Sequence, residues 1–211
     1  METLQELSLR LQQGRAKEMS EWIQKALDEN IEPRRILEEG LLAGMGEIGE
    51  KFRLNQVFVP EVLMAARAMN VGTAYLKPHL IAQGIQPIGR ACIGTVKGDM
   101  HDIGKNLVRM MLEGKGIEVI DLGVDVSPEK FVETAKEQKC DLVLLSALLT
   151  TTMGVMKDVI TAFDAAGLRG QVKILVGGAP ITQEFADEIG ADAYTKDAAT
   201  CADIAAKLLD S

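Results

Sequence analysis

Thr95-Val96-Lys97-Gly98-Asp99-Met100-His101-Asp102-Ile103-Gly104-Lys105 joins a short apolar run, Ala91 to Val96, to an amphipathic one, Asn106 to Leu112. The first run has the length and continuity of a buried strand, and the second has helical spacing. The stretch between them is a strand-to-helix loop carrying one of the two histidines in the chain. Asp99 precedes His101 by two residues, and Gly104 follows it by three. A metal-binding loop needs this combination: an imidazole to donate to the metal and a carboxylate to hold its other ring nitrogen. The glycine lets a bulky ligand or another backbone come close. The same residues would also suit a helix N-terminus capped by Asp and His beside a phosphate. Lys97 and Lys105 flank the loop as solvated cations.

Beyond the loop, short apolar runs alternate with helical ones. The runs Ile117 to Leu122, Asp141 to Ala147, Val172 to Val176 and Ala191 to Thr195 read as strands. Helices are predicted from Asp102 to Glu113, from Ser127-Pro128-Glu129 to about Lys139, and over Thr152 to Ala166, Thr182 to Ile189 and Asp197 to Leu209. Five β/α units imply a Rossmann-like, flavodoxin-like α/β fold with an open parallel sheet covered on both faces. With the common strand order 2-1-3-4-5, ligands sit where the order reverses, between strands 1 and 3. The histidine loop follows strand 1, the hydroxyl-rich loop Ser146 to Thr152 follows strand 3, and Gly177-Gly178 follows strand 4. All three unusual loops therefore fall on one edge of the sheet. Taken singly, the hydroxyls would also cap a helix and the glycines would also make a plain turn. Asp121 and Asp125 suggest a phosphoacceptor site, but strand 1 lacks the acidic pair that such a site uses.

The first 83 residues have a different period. Leu4, Leu7 and Leu11 share a face, as do Met19, Trp22, Ile23, Ala26 and Leu27. Pro33 opens a third stripe through Ile36, Leu37, Leu41, Met45, Ile48 and Phe52, and Pro60 opens a fourth helix. A four-helix bundle is the simplest way to bury these stripes. Its glycines and methionines, among them Gly40, Gly44, Gly46, Gly49, Met45, Met64 and Met69, suit close packing with flexible filler. With Phe58, some would equally form an apolar lid over a flat cofactor. His79 follows Pro78 with no acidic partner nearby and reads as a structural or surface histidine. Gly84 to Arg90, with two glycines and a proline, is the linker, so residues 1–83 form a helical cap and residues 91–211 the α/β domain.

The 211 residues, 47% hydrophobic and 26% charged, are ordinary for a soluble globular protein. A formal net charge of −8 disfavours nucleic acid and anionic membranes as partners. Cys92, Cys140 and Cys201 are far apart, which argues against a disulfide framework or a zinc site and fits a reducing cytosol. The polar N-terminus is neither a signal nor a transit peptide. The longest apolar run, Leu142 to Leu149, is broken by Ser146 and is too short to span a bilayer.

Asp99-Met100-His101-Asp102-Ile103-Gly104, Ser146-Ala147-Leu148 and Gly177-Gly178 together resemble the signature of cobalamin-binding domains. Gly94 to Gly98 and Asp121-Leu122-Gly123-Val124 resemble the cobalamin module of methionine synthase. Gly49-Glu50-Lys51-Phe52 and Phe58-Val59-Pro60-Glu61-Val62-Leu63 are similar to that family's helical cap. The resemblance covers nearly the whole chain in family order. A two-domain unit of this size resembles the small corrinoid proteins of methanol, methylamine, glycine-betaine or methoxyaromatic methyltransferase systems.

The resemblance implies a cobalamin or related corrinoid, cycling between methylcob(III)alamin and cob(I)alamin. His101 would be the lower axial cobalt ligand in place of the corrinoid's own base. Asp99 would take the proton on the other imidazole nitrogen, and Thr152 would extend this relay where methionine synthase usually has a serine. Proton uptake at the His101–Asp99 pair would accompany loss of the metal bond. Gly98, Met100, Asp102, Ile103, Gly104 and Leu148 would contact the cofactor. Ser146 and Thr150 would line a slot for its displaced nucleotide tail, past Gly177 and Gly178, and the loop Tyr194 to Ala198 would close the slot's far end. Phe58 and Met64 would cover the upper face of the corrin. The implied role is a methyl carrier without turnover alone. Its implied partners are a substrate-specific corrinoid methyltransferase, a second methyltransferase with a folate or thiol acceptor, and a reductive-activation protein. An adenosylcobalamin-dependent mutase subunit would lack the helical cap. A cobalamin-responsive sensor would need a DNA-binding segment, and no basic helix-turn-helix pattern is present.

Overall fold

A computed structural model describes residues 2–210. The chain divides into two compact units between Pro87 and Ile88, with Gly114–Gly116 counted in the first.

In the helical unit, α1 (Glu2–Gln12) leads through one 3₁₀ turn, Ala16–Glu18, into α2 (Met19–Asp28). The short α3 (Pro33–Arg35) continues through a π-helical segment, Ile36–Leu42, into α4 (Ala43–Arg53), and α5 (Val59–Ala82) follows. Pro33 and Pro60 both stand in a first turn, where the missing N–H costs nothing. At the start of α5 the Glu61 carboxylate accepts the Phe58 N–H at 3.1 Å. Leu4, Leu7, Leu11, Met19, Ile23, Ile36, Leu41, Met45, Ile48, Val62 and Leu76 are all buried. Two of the glycines serve this packing: a Cβ on Gly40 would lie 2.7 Å from Leu7 Cδ2, and one on Gly44 3.0 Å from the Ser8 carbonyl oxygen. Trp22 departs from the buried stripe expected of it. It is half-buried, with the Arg10 guanidinium and the Lys25 ammonium each 4.5 Å from its ring centroid. His79 is exposed, as expected.

The second unit alternates strand and helix: β1 (Gly89–Thr95), α6 (Ile103–Glu113), β2 (Ile117–Asp121), α7 (Pro128–Gln138) and β3 (Leu142–Ser146), then α8 (Gly154–Ala165), β4 (Lys173–Gly177), α9 (Gln183–Ile189), β5 (Ala193–Thr195) and α10 (Ala198–Leu209). The sheet is wholly parallel in the order β2-β1-β3-β4-β5. It is the α/β Rossmann-like fold anticipated, with its switch point between β1 and β3. Ser127, Thr182 and Asp197 each cap the helix that follows, accepting a backbone N–H two residues inside it. α8 begins two residues later than its periodicity predicts, because the Thr152 N–H bonds the Leu149 carbonyl in a turn. The register aligns Thr95 with Ser146, Ser146 with Gly177, and Gly177 with Thr195. The carboxyl ends of four strands therefore form one row.

Phe131, Phe163, Val143, Ile174 and Val176 belong to one buried cluster. Gly94 lets Phe131 lie against the strand: a Cβ there would stand 2.8 Å from the ring. All three cysteines are buried free thiols, and burial pushes the Cys201 thiol up to about 11. Among the described residues no helix is long and apolar enough to cross a membrane. Because Phe131 is fully buried on α7, Phe131→Ala is expected to cost about 3–5 kcal/mol. Urea unfolding should show this as a lower midpoint with an unchanged slope; an unchanged midpoint would contradict the packing described.

Candidate functional site

β1 delivers the histidine loop at its carboxyl end. The Thr95 hydroxyl donates to the His101 carbonyl at 2.7 Å, folding the loop back over the strand it left. Gly98 makes the reversal with φ +85, a conformation that side chains disfavour. Asp99, the residue after Gly98, is fully buried.

A buried carboxylate must be paired or hydrogen-bonded, and Asp99 is the acceptor for five donors. One oxygen takes the His101 ring Nδ1 at 2.7 Å and the His101 backbone N–H at 3.1 Å. The other takes the Leu148 and Leu149 backbone N–H groups at 2.8 and 3.1 Å and the Thr152 hydroxyl at 2.9 Å. Burial alone would raise this carboxyl's pKa. The hydrogen bonds from Leu148, the His101 ring and backbone, and Leu149 outweigh it and hold Asp99 well below the usual carboxylate range. The Thr152 hydroxyl is also within 2.9 Å of the Leu149 carbonyl, so it tightens the turn before α8 as well.

An acceptor at Nδ1 fixes the imidazole with its proton there and its lone pair on Nε2. No hydrogen bond among the described residues uses Nε2, and the His101 side chain is 50% exposed. Around it, Met100, Ile103, Leu148 and Leu149 are exposed apolar side chains, Met100 and Ile103 at 69% and 75%. A Cβ on Gly104 would meet nothing within 4 Å, so packing within the chain does not require glycine there. Among the described residues no group of three His, Cys, Asp or Glu side chains could hold a metal ion. His101 is thus not part of a three-ligand cluster, which suits a metal whose other positions are filled by a macrocycle.

The neighbouring strand ends are bare. Gly178 has φ +135, and a Cβ on it would lie 1.8 Å from the Ala147 carbonyl oxygen; one on Gly177 would lie 3.1 Å from that of Thr195. Ser146 is half-buried and its carbonyl accepts the Val96 N–H; Thr150 is exposed. The loop from Tyr194 to Ala198 that the resemblance implies overlaps the strand and the helix that the pattern predicts. Tyr194 lies within β5 and packs against the buried cluster, and Ala198 is the buried first residue of α10, leaving Lys196 and Asp197 as the connection. Asp102 supports the start of α6, its side chain accepting the Asn106 amide at 3.1 Å. Phe58 and Met64 are exposed on the helical unit.

Lys105 corrects a reading from sequence. It is buried, not solvated, and its ammonium bonds Asp121 at 2.5 Å and Asn106 at 2.9 Å, while Arg109 reaches the other Asp121 oxygen at 3.1 Å. Asp121 is thereby an internal counterion. Burial works against its ionisation, and the Lys105 hydrogen bond and the Gly123 N–H together carry its pKa below the ordinary value. Leu149 carries one signal in the sequence, the extension of the apolar run past the strand end.

A family model described as a B12 binding domain matches residues 89–203, and a second B12 binding domain model matches residues 3–77. The chain belongs to the B12-binding corrinoid proteins. Dimethylamine corrinoid protein 2 of Methanosarcina acetivorans is 44% identical over 209 residues, covering 99% of this chain and 96% of that protein. Trimethylamine corrinoid protein 1 of Methanosarcina mazei is 46% identical over 176 residues, 82% of each. Among solved structures, the methanol:cobalamin methyltransferase complex of Methanosarcina barkeri matches with TM-score 0.91 at 28% identity, covering 100% of this chain and 80% of that one. A cobalamin-binding protein of Desulfitobacterium hafniense matches with TM-score 0.79 at 28% identity, covering 97% and 98%. The cofactor of this corrinoid protein is a cobalamin or related corrinoid, and the residues present fit it. They offer one imidazole lone pair, apolar side chains beside it, and strand ends without side chains.

Asp99→Asn is expected to destabilise the cofactor-free chain by about 2–3 kcal/mol at neutral pH, the scale of a charge-assisted hydrogen bond lost at a buried site. Because the folded pKa is depressed, the contribution of Asp99 is complete above the ordinary carboxylate value of about 4 and is lost as pH falls towards the depressed one. The deficit of the variant should therefore shrink in acid; a deficit constant with pH would contradict this. Gly178→Ala should lower the melting temperature and abolish corrinoid uptake, since neither its backbone nor its surroundings admit a Cβ. Normal uptake would contradict the role given to the strand end.

Proposed function

We propose that this corrinoid protein is a methyl carrier. It receives a methyl group from a substrate-specific methyltransferase acting on a methylamine or methanol-type donor. It yields that group to a second methyltransferase with a folate or thiol acceptor, and a reductive-activation protein restores the cofactor after oxidation. The relatives named for dimethylamine and trimethylamine support the donor class. The methanol:cobalamin methyltransferase complex supports a methyltransferase partner.

The observation that carries the reading is the imidazole of His101, fixed by a buried carboxylate at Nδ1 and half-exposed among apolar side chains. His101 Nε2 would be the cobalt ligand, replacing the base the corrinoid brings with it. The corrinoid itself supplies the metal that bears the methyl group. What this chain contributes is binding, orientation and exclusion of water. Asp99 holds the proton at Nδ1, and Thr152 holds Asp99. Met100, Ile103 and Leu148 present apolar surface to the ring, with Gly98, Asp102 and Gly104 shaping the loop. Ser146, Thr150, Gly177 and Gly178 serve the displaced nucleotide tail, with the end of β5 and the start of α10, Tyr194 and Ala198, at its far limit. Phe58 and Met64 are the shielding contribution of residues 1–83, with residues 84–90 as the link to the binding domain at 91–211.

Reconstitution with a corrinoid tests this. The native chain should bind one equivalent, with a visible spectrum that His101→Ala alters. The variant should accept and donate methyl groups at least about 10-fold more slowly. An unchanged spectrum and rate would contradict the role given to His101.

A further inference from the structure

The sequence suggests Asp125 only as a phosphoacceptor, and the B12-binding role leaves it without a task. Its geometry supplies one. It lies in the connection between β2 and α7 and holds a left-handed backbone, φ 54, unusual for a residue with a Cβ. Its carboxylate accepts the Gly98 N–H at 2.7 Å, and its own N–H donates to the Asp99 carbonyl at 3.0 Å. One residue thus grips both positions that set the direction of the chain into His101.

The connection that carries Asp125 is itself fastened at both ends. The Thr95 N–H donates to the Gly123 carbonyl and the Val126 N–H to the Thr95 carbonyl, each at 3.0 Å. Upstream, Asp121 accepts the Gly123 N–H at 2.9 Å while bonded to the buried Lys105 ammonium. Lys105 is in the first turn of α6, directly after the histidine loop. The loop is therefore held from the β3 side through Asp99 and from the β2 side through Asp125 and the Lys105–Asp121 pair.

We infer that Asp125 is a positioning residue for His101, clamping Gly98 and Asp99 so that the imidazole keeps a fixed approach to the cobalt. The inference rests on His101 being the cobalt ligand. Two substitutions separate the carboxylate from the backbone conformation, because Asn and Gly both tolerate positive φ. Asp125→Asn keeps an oxygen for the Gly98 N–H, and Asp125→Gly removes it.

The test labels the histidines of the full chain with ¹⁵N, loads it with cobalamin, reduces the metal to cobalt(II), and follows the axial ¹⁵N coupling, which the cofactor's own base does not give, in its electron paramagnetic resonance spectrum. Hydrogen exchange of the Gly98 amide is measured on the cofactor-free chain. Asp125→Gly should lose protection at Gly98, bind corrinoid about 10-fold more weakly, and show part of its cobalt without ¹⁵N coupling. Asp125→Asn should stay within about two-fold of the native chain in all three. Equal behaviour of the two variants, or full ¹⁵N coupling in Asp125→Gly, would overturn the inference. If the native chain itself shows no coupling, and His101→Ala is indistinguishable from it, the ligand assignment falls instead.

Discussion

One buried carboxylate, that of Asp99, joins what the sheet pulls apart. β1 and β3 are neighbours, but the order β2-β1-β3 reverses between them, so their loops diverge at the crevice where such folds bind ligands. Asp99 leaves β1 on the histidine loop and takes three donors from the loop after β3. A charge-assisted hydrogen bond is about twice as strong as a neutral one, and the penalty for leaving this group unpaired is larger than the gain from any single bond. The two loops consequently stand or fall as a unit. The imidazole is one of the five donors, so its orientation follows from the stability of the whole arrangement.

The rest of the α/β unit supplies the platform. A parallel register brings Thr95, Ser146, Gly177 and Thr195 into one row, and the last three flank a strip where side chains are small or absent. The same physics keeps Gly178 a glycine: its backbone is outside the range of other residues and its neighbour is a carbonyl oxygen. Close packing makes this edge intolerant of change even though much of it is exposed to solvent. A large flat ligand with a long appendage needs both properties: apolar side chains free to meet a ring, and rigid backbone along which a tail can run.

Much of this was legible in the sequence, for identifiable reasons. The change from a helical period to alternating strand and helix after Arg90, the glycines at element ends, and the Ser127 cap all act locally, so pattern located the elements, while the sheet order followed from the order common to such folds. The Asp99–His101 pair was legible because its two members are adjacent in sequence. What pattern could not give were contacts made across the fold. Lys105 reads as a solvated cation, since nothing nearby announces that Asp121 closes over it. Trp22 reads as core, yet two cations flank it. The π-helical segment at Ile36–Leu42 leaves the apolar spacing almost intact and so gives no sign. Tyr194 and Ala198 fall in the strand and helix that the pattern predicts; only the family resemblance joins them in one loop.

Which nitrogen of His101 carries the proton decides whether a lone pair is left for a metal. The chain has only two histidines, so ¹⁵N labelling of histidine alone gives a readable spectrum. Two-bond nitrogen–proton correlations of the cofactor-free chain at alkaline pH report the tautomer directly. The geometry predicts that one histidine, absent in His101→Ala, is protonated at Nδ1 with a lone pair on Nε2, and that Asp99→Asn disturbs it. A proton on Nε2, or an even mixture of the two forms in the native chain, would contradict the account.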